Sequence, residues 1–227
     1  MKSRRRRRRL LRWMGVAGIG VLATVFGALL VLWLTFQHVP AWYQPVQLDP
    51  EESRDARADA IGMGDWISGK MVDREPFEVV LHDWSITRWL AALPVLWPEF
   101  EESVPAGLSD GAVKFDDGRI LAGAHYEQQG WRLIINLAVT AEIADGGDHL
   151  MLKLETVRGG SLPVPKTVVR ALLEPLVDRS RRIQSVDDLF DGVKIDNYFT
   201  WPNGDRLFRI DSIHIQDGDL RIGVVPL

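Results

Sequence analysis

The clearest pattern in the chain is a long alternation of apolar and polar residues between Trp131 and Ile143. Every odd position in this stretch is apolar, whereas the even positions include Arg132, Asn136 and Glu142. Because successive side chains of a β-strand point to opposite faces, a period of two predicts a strand with one buried face. At ~3.3 Å per residue the strand would be roughly 40 Å long, about twice the usual length.

Turn signals on both sides of this stretch predict that it belongs to an antiparallel meander. Asp117-Gly118 separates the strand-like segments GAVKFD and RILAGAHYE, and Gln129-Gly130 marks the turn into the long strand. After Gly146-Gly147-Asp148, a leucine stands at every second position from Leu150 to Leu154. The next break is at Gly159-Gly160.

The C-terminal part of the chain alternates again. Three segments separated by Asn-Gly or Asp-Gly turns predict strands, namely Val193 to Trp201, Leu207 to Ile215, and Leu220 to Val225. In the middle segment Phe208 and Ile210 share one parity, whereas Ile213 and Ile215 share the other. This switch predicts a β-bulge near Asp211-Ser212.

Two helices are expected before the meander. Residues from Glu51 to about Val72 place five apolar side chains on one helical face, although three glycines weaken the pattern. These side chains are Ala56, Ala60, Met63, Ile67 and Met71. A short strand, Phe77 to His82, follows, and Asp83 or Ser85 then offers an N-cap for a helix from Ile86 to Leu93.

A third helix, from about Pro165 to Arg182, is expected to pack on the meander. Its apolar stripe is about 27 Å long, shorter than the long strand. The uncovered part of the strand's apolar face is left either for an acyl chain or for the two earlier helices, which would complete the core. The predicted groove residues are Trp131, Leu133, Ile135 and Leu137 from the strand, and Leu172, Leu173 and Leu176 from the helix.

The N-terminal region has the composition of a membrane anchor. Residues 13–36 carry no charge, and as a helix they would span about 36 Å, enough to cross a hydrocarbon layer of roughly 30 Å. Eight of the first twelve residues are basic and none is acidic. The positive-inside rule therefore places the N-terminus in the cytoplasm and the C-terminus outside it. Interfacial aromatics, Trp13 on one side and Trp33 and Trp42 on the other, fit both boundaries.

The alternative for this region is a cleaved signal peptide. A signal peptide has an apolar core of roughly 7 to 15 residues, shorter than the one here, and Pro40 fits poorly in the small-residue motif Val39-Pro40-Ala41. The expected organisation is a cytoplasmic tail (1–12), a transmembrane helix (13–36), a proline-rich stalk (37–50) and an extracytoplasmic domain (51–227). The location would be the inner or plasma membrane, with a single span.

Charge and cysteine content exclude several function classes. Without its first twelve residues the chain has 19 basic residues against 31 acidic ones, and so acidic a domain is a poor partner for nucleic acid. The arginine run alone resembles a nucleic-acid or nuclear-localisation patch, but its position directly before an apolar span favours a membrane flank. The absence of cysteine rules out disulfides, thiolate zinc sites and cysteine nucleophiles.

No catalytic, metal or cofactor motif is present in the sequence. The five histidines lack metal-ligand spacing, no serine lies in a G-x-S-x-G context, and there is no Walker or Rossmann glycine pattern. His82-Asp83 fits a base with its orienting acid less well than a strand-end histidine beside a helix cap. The chain is therefore expected not to be an enzyme, with a hydrolase as the most remote alternative, and no cofactor is expected.

One segment is rich in tryptophan. Trp84, Trp89 and Trp97 lie within 14 residues of one another. Tryptophan often anchors protein contacts, so these three residues are the candidate surface for an envelope protein partner. The alternative for each of them is burial in the core.

Several turn and strand motifs resemble those of the YpmS-like and LmeA-like bacterial membrane-anchored proteins, whose role is poorly defined. The resemblance covers Phe77 to the end and is carried by Val104 to Asp110, Asp117 to Ala124, Val157 to Pro165, and Ile210 to Leu220. It implies an α+β fold in which a long curled antiparallel sheet packs on a helix, similar to tubular lipid-binding folds. It also implies an anchored cell-envelope protein that binds or shuttles lipid, and it supplies no catalytic residue.

The function expected from the sequence is therefore a single-span membrane protein whose extracytoplasmic domain binds lipid or another hydrophobic ligand in a groove between sheet and helix. The alternative is an envelope scaffold that binds another protein and no small ligand.

Overall fold

The computed structural model describes residues 23–93, 107–128, 130–170, 185–201 and 206–227. Within these ranges the chain has an α+β fold with long antiparallel sheets and a few helices. The helices, in their described parts, are residues 23–36 (α1), Pro50–Asp73 (α2), Asp83–Ala91 (α3), 166–170 (α4) and Val186–Asp191 (α5). The strands are Phe77–His82 (β1), Leu108–Asp116 (β2), Arg119–Gln128 (β3), Trp131–Ala144 (β4), His149–Gly159 (β5), Leu162–Pro163 (β6), Val193–Asp196 (β7), Phe199–Thr200 (β8), Leu207–Gln216 (β9) and Asp219–Pro226 (β10).

The first sheet has six strands and contains the predicted meander. Its order is β2-β3-β4-β5-β6, and β7 pairs with β5. At the β2–β3 turn Asp117 and Gly118 both have positive φ, 46° and 76°, as a two-residue turn between right-handed twisted strands requires. The prediction of a long strand from residue 131 is confirmed, because β4 has 14 residues.

The prediction that β4 has a single buried face, formed by the odd positions, is wrong. The most buried side chains in the middle of β4 are on the even face, where Ile134 is 4% exposed and Ala138 is 6% exposed. The odd-numbered Ile135 and Leu137 are only partly buried. The reason is tertiary, since the stalk (residues 37–50) covers the even face and places Tyr43 against Ile134.

Two glycines of the six-stranded sheet let the chain from residue 35 to residue 43 approach closely. A Cβ on Gly123 would lie 3.0 Å from the rings of Trp42 and Tyr43. At Gly160 the φ angle is +58°, and a Cβ there would lie 2.3 Å from the carbonyl oxygen of Phe36. The neighbouring Ser161 N–H donates to the carbonyl of Thr35 at 3.1 Å. The end of α1 and the start of the stalk are therefore both docked on the sheet.

The second sheet has four strands in the order β1-β10-β9-β8. The bulge predicted near Asp211-Ser212 is confirmed, because the pairing of β10 with β9 passes from Ser212 opposite Gly223 to Ile210 opposite Val224, leaving Asp211 without a directly opposite residue. The prediction of one strand from Val193 to Trp201 is wrong. That segment forms two short strands in different sheets, β7 beside β5 and β8 beside β9.

Asn197 explains this split. Its side chain is fully buried, its amide Nδ2 donates to the carbonyls of Gly147 and Ile210, and its Oδ1 accepts from the Ile210 N–H. Its backbone N–H donates to the carbonyl of Asp148. One residue therefore ties the β4–β5 turn to β9, and the chain crosses from one sheet to the other there.

The two sheets also meet at their hairpin turns. The Gly218 N–H donates to the Phe115 carbonyl at 2.9 Å, and the Gly118 N–H donates to the Ile215 carbonyl at 3.3 Å. The single curled sheet expected from the sequence is therefore two hydrogen-bonded sheets, which are linked through Asn197 at Ile210 of β9 and at the turn that follows β9.

The N-terminal helices are close to their predicted positions. In α2, Asp49 and Glu52 form a reciprocal capping box, and Pro50 occupies the first turn. The N-cap predicted for α3 is wrong, since the helix starts at Asp83 after His82, which makes no side-chain cap. Asp83 instead lies 2.8 Å from the ammonium of Lys114 on β2. This contact raises the pKa of Lys114.

Two predicted helices lie partly outside the described residues. Of the predicted span Trp13 to Phe36, residues 23–36 are helical. Within the described part of the chain, no helix combines the length and apolar character needed to cross a membrane. Of the predicted helix Pro165 to Arg182, residues 166–170 are helical, and Val169 is buried against Leu154 and Val157 of β5.

Candidate functional site: an apolar cavity under α2

The four-stranded sheet has one apolar face. Residues directly opposite each other in an antiparallel pair share a face, so the β1 residues Val79 and Leu81 line up with Ile222 and Leu220 of β10. The bulge at Asp211 changes the parity of β9 and brings four of its five apolar residues to this same face, whereas Leu207 is exposed. These four residues are Phe208, Ile210, Ile213 and Ile215.

Helix α2 places its predicted apolar stripe over this face. Met71 is 1% exposed and packs with Val79 and Val224, while Met63 and Ile67 border the same cluster. The stripe includes one glycine, Gly64. No described atom lies within 4 Å of the position that a Cβ on Gly64 would take, beyond the helix's own backbone.

Helix and sheet border a half-open cavity with a volume of about 480 Å³. This volume falls within the range of roughly 300–1,000 Å³ found for small-molecule sites. Nearly all of the lining surface is apolar, and among the described lining residues no side chain carries an ionisable group. The lining residues are Ala60, Met63, Gly64, Ile67, Met71, Val79, Leu81, Trp89, Trp201, Phe208, Ile210, Ile222 and Val224.

One end of the cavity, near the C-terminus of α2, is firmly closed. The Trp201 Nε1–H donates to the Ser68 hydroxyl at 2.9 Å, and that hydroxyl donates to the Gly64 carbonyl at 2.8 Å. The Trp201 ring meets the Phe208 ring edge-on at 6.3 Å. This arrangement satisfies the indole N–H, so the polar atom of Trp201 does not disturb the apolar lining.

The other end of the cavity lies where α2 meets α3. Ala60 comes from α2 and Trp89 from α3. The residues that precede them in sequence, Asp59 and Arg88, form an ion pair across the two helices, with Arg88 Nη1 3.6 Å from Asp59 Oδ2. This end is therefore bordered by charge, whereas the Ser68–Trp201 end is held by packing and neutral hydrogen bonds.

The opposite face of the four-stranded sheet is polar. His82 Nδ1 donates to Asp219 Oδ1 at 2.8 Å, and Arg221 bridges Asp219 and Glu78 at 3.5 and 3.3 Å. The hydrogen bond from His82 lowers the pKa of Asp219. Because the four side chains are 30–47% exposed, the network is a solvated surface.

The described lining of the cavity is suited to binding an apolar molecule and not to catalysing a reaction on it. The described lining residues include no general acid, base or nucleophile that could act on a bound molecule. Among the described residues, no group of three or more His, Asp or Glu side chains is placed to hold a metal ion. An apolar chain gains free energy by leaving water for such a space, roughly 25 cal/mol per Å² of buried surface.

The structure places the predicted groove residues in a different region from this cavity. Ile135 and Leu137 pack against the cluster of Leu154, Val157 and Val169 under the six-stranded sheet. Leu133 and Phe36 both lie within 3.4 Å of the Cβ position of Gly159. The predicted helix residues and one strand side chain lie outside the described part of the structure: Leu172, Leu173, Leu176 and the side chain of Trp131.

The three tryptophans predicted to form a partner surface do not lie together on one described surface. Trp84 is 56% exposed and stacks on His82 with ring centroids 5.8 Å apart. Trp89 lines the cavity. Trp97 lies outside the described residues.

Sequence reasoning missed the cavity although its parts were visible. The α2 stripe and the β9 parity switch were both found, yet neither pattern shows that helix and strand face each other across a gap. The one available signal was Gly64, a glycine within the apolar stripe of a helix, where alanine would cost less by about 1 kcal/mol.

Comparisons of the chain with protein-family models, with curated proteins and with solved structures gave no match. The resemblance to the YpmS-like and LmeA-like proteins therefore stays a prediction from sequence motifs.

Proposed function

We propose that this protein binds the hydrocarbon chain of a lipid or similar amphiphile in the cavity between α2 and the four-stranded sheet. The observation that carries the proposal is the cavity itself, about 480 Å³ with an almost wholly apolar lining. It retains the expected mode of binding, in a groove between an antiparallel sheet and a helix. The helix, however, is α2 and the sheet is the C-terminal one with β1.

The glycine in α2 supports this proposal. Glycine weakens a helix by about 1 kcal/mol relative to alanine. At Gly64 no described neighbour requires the small side chain, since the Cβ position is open to the cavity. A side chain at this position would enter the cavity, so glycine gains nothing in packing and leaves room for a bound chain.

We further propose that the protein is a single-span protein of the inner or plasma membrane, with a cytoplasmic N-terminus and an extracytoplasmic domain. The support is the uncharged stretch 13–36 after eight basic residues, together with the exposed apolar side chains of residues 25–34. Since the chain has no cysteine, a single Ser3→Cys or Leu227→Cys can be labelled alone. A membrane-impermeant maleimide should label intact cells at position 227 and spare position 3.

The binding proposal is tested by photocrosslinking in the membrane. Cells that express the full chain are fed a fatty acid with a diazirine and an alkyne, irradiated, and the purified chain is digested with trypsin. The peptide Ala58–Lys70 contains Met63, Gly64 and Ile67 and should carry the label. The peptide Trp13–Arg54 covers the proposed span and serves as the internal standard for bulk lipid contact.

A matched pair of variants assigns the label to the cavity. Gly64→Leu puts an isobutyl group into the cavity, whereas Gly62→Leu puts the same group on the exposed side of α2, where nothing lies within 4 Å. Both variants gain helix propensity of about 1 kcal/mol. Labelling of Ala58–Lys70 should fall to background in the first and persist in the second. Equal labelling in both variants would contradict the proposal.

A second candidate function is an envelope scaffold that binds another protein, and Trp84 favours it. Large aromatic side chains that are exposed and held in one orientation are typical anchors of protein contacts, and Trp84 is stacked on His82. Crosslinking from position 84 in cells would support this function if one protein dominated and Gly64→Leu left that product unchanged.

A further inference from the structure

Separating the walls of the cavity should cost less free energy at the α2–α3 end than at the Trp201 end. At the Trp201 end, Met71 is 1% exposed and Trp201 is hydrogen-bonded to Ser68, so separation there would expose apolar surface and break a buried hydrogen bond. At the α2–α3 end, the residues that precede the lining residues Ala60 and Trp89 form the Asp59–Arg88 ion pair at 3.6 Å. Its carboxylate is 59% exposed, and exposed ion pairs contribute little to stability.

Arg88 is also in the right place to meet the head of a bound amphiphile. Its side chain is 28% exposed, and the next residue, Trp89, lines the cavity. A hydrocarbon chain that fills the apolar space must leave its polar head at a boundary, because burying a head without hydrogen bonds costs several kcal/mol. A guanidinium binds carboxylate and phosphate oxygens through two parallel hydrogen bonds.

We propose that Arg88 binds the anionic head of the ligand and that Asp59 holds Arg88 in place until the ligand displaces it. This inference rests on the proposed binding of a hydrocarbon chain in the cavity, and it adds the ligand class: a single-chain amphiphile with a carboxylate or phosphate head. The exchange swaps one carboxylate partner of Arg88 for another anion, and the released Asp59 carboxylate, 59% exposed, is left to water.

The two members of the pair then have opposite effects on binding. Arg88→Gln removes the cation, so the preference for an anionic head should disappear. Asp59→Asn removes the competing carboxylate and leaves Arg88 free, so affinity for an anionic head should rise. If the pair only held α2 to α3, both variants would change binding in the same direction.

The experiment uses the full chain in phosphatidylcholine nanodiscs with three photoactivatable probes that share one chain: hexadecanoic acid, hexadecyl phosphate and hexadecanol, each with a diazirine. The readout is labelling of peptide 58–70 relative to peptide 13–54, measured by mass spectrometry. In the wild type the anionic probes should exceed hexadecanol by about tenfold, the size of a charge-assisted hydrogen bond. Whichever anionic probe gives the larger ratio identifies the head as carboxylate or phosphate.

The variants complete the design. Arg88→Gln should bring all three probes to the same ratio, and Asp59→Asn should raise the ratio for the anionic probes alone. Arg206→Gln is the matched control, because Arg206 donates to the Met71 carbonyl at the other end of α2. It should leave the preference intact.

The outcomes separate this inference from the proposal beneath it. Equal labelling of peptide 58–70 by all three probes, unchanged in Arg88→Gln, would overturn the role of Arg88 and leave the cavity as a binding site. Loss of the preference in Arg206→Gln instead of Arg88→Gln would also overturn it. Labelling of peptide 13–54 without any labelling of peptide 58–70 would refute binding in the cavity itself.

Discussion

The middle of the six-stranded sheet is covered on both faces by the protein's own chain, whereas the four-stranded sheet has a cavity of about 480 Å³ between its apolar face and α2. On the even face of β4 the stalk brings Tyr43 against Ile134. On the odd face Leu137 packs with Val157 and Val169. The four-stranded sheet instead keeps one face polar and solvated, and its other face is only partly filled by α2.

The difference lies in how each covering segment approaches its sheet. The end of α1 and the start of the stalk reach the six-stranded sheet at glycines that allow near contact. Gly123 lies under the rings of Trp42 and Tyr43, and Gly160 lies under the carbonyl of Phe36 in α1. The glycine that faces the sheet from α2, Gly64, has open space in front of it. Gly123 and Gly160 let another chain segment pack directly on the sheet, whereas Gly64 leaves empty space between α2 and the sheet. The effect of a glycine on packing therefore depends on its neighbours.

The largest effect is expected at the residue that links the two sheets. Asn197→Ala would leave the part-buried carbonyls of Gly147 and Ile210 and the Ile210 N–H without their side-chain partner. At the lower part of the range of about 1–3 kcal/mol for each unsatisfied group, the loss should be roughly 4 kcal/mol in the free energy of unfolding. Urea denaturation of the full-length chain would measure it.

The matched control for that prediction is Asn136→Ala. Asn136 is also buried but makes one side-chain hydrogen bond, to the Gly160 carbonyl. Its loss should cost about 1–2 kcal/mol. If the two variants were equally stable, Asn197 would not be the tie between the sheets.

The next effect concerns the docking of the end of α1, directly before the stalk. Gly160→Ala puts a methyl group 2.3 Å from the Phe36 carbonyl oxygen at a φ of +58° and should cost about 3 kcal/mol or more. Gly118→Ala has the same type of φ, +76°, with nothing within 4 Å, so it should cost only the conformational term of about 1–2 kcal/mol. Unfolding curves of both variants test this, and equal losses would mean that the Phe36 contact is dispensable.

Alkaline pH should loosen the same stalk from the sheet. Burial raises the pKa of Tyr43 to about 12, and the Asp110 carboxylate adds to the shift. Because the folded state holds this proton more tightly than the unfolded chain, whose tyrosine pKa is about 10, the contribution is complete below pH 10 and is lost as pH rises towards 12. It amounts to at most about 2–3 kcal/mol.

Unfolding free energies between pH 9 and pH 12 check this prediction, with Tyr43→Phe as the comparison. Lys114 has a raised pKa from its hydrogen bond to Asp83 and loses its contribution as pH rises through that pKa, so part of the decline should remain in Tyr43→Phe. An identical decline in the wild type and in Tyr43→Phe would show that Tyr43 does not titrate with unfolding.

The smallest effect is expected on the solvated side of the four-stranded sheet. Trp84→Ala removes a side chain that is 56% exposed and that stacks, among the described aromatic rings, on His82 alone, so the change should be about 0.5 kcal/mol or less. Trp89→Ala removes a wall of the cavity and should cost several times more. Thermal unfolding of the two variants measures the difference in stability. A larger loss of stability in Trp84→Ala than in Trp89→Ala would contradict the assignment of Trp84 to the surface and Trp89 to the cavity wall.

Several elements were predictable because they follow from local patterns. The length of β4 follows from a period of two. The turn follows from the pair Asp117-Gly118, because these residue types accept the positive φ that both of them have, and the bulge beside Asp211 follows from the parity switch in β9. Helix α2 follows from its apolar stripe and from the capping box of Asp49 and Glu52. Each of these signals lies within a few residues of the structure it specifies.

The sequence alone therefore determined the α+β class, the hairpin order and the parity of most strands, because backbone geometry translates residue spacing directly into these features. Tertiary structure alone decided which face of β4 is the more buried, that Asn197 divides one predicted strand between two sheets, and that the open space lies under α2. Those outcomes depend on contacts between residues far apart in the chain, such as Tyr43 with Ile134 and Met71 with Val224. A periodic pattern specifies the face that must be covered, but the covering segment and the space beneath it are set by the packing of the whole chain.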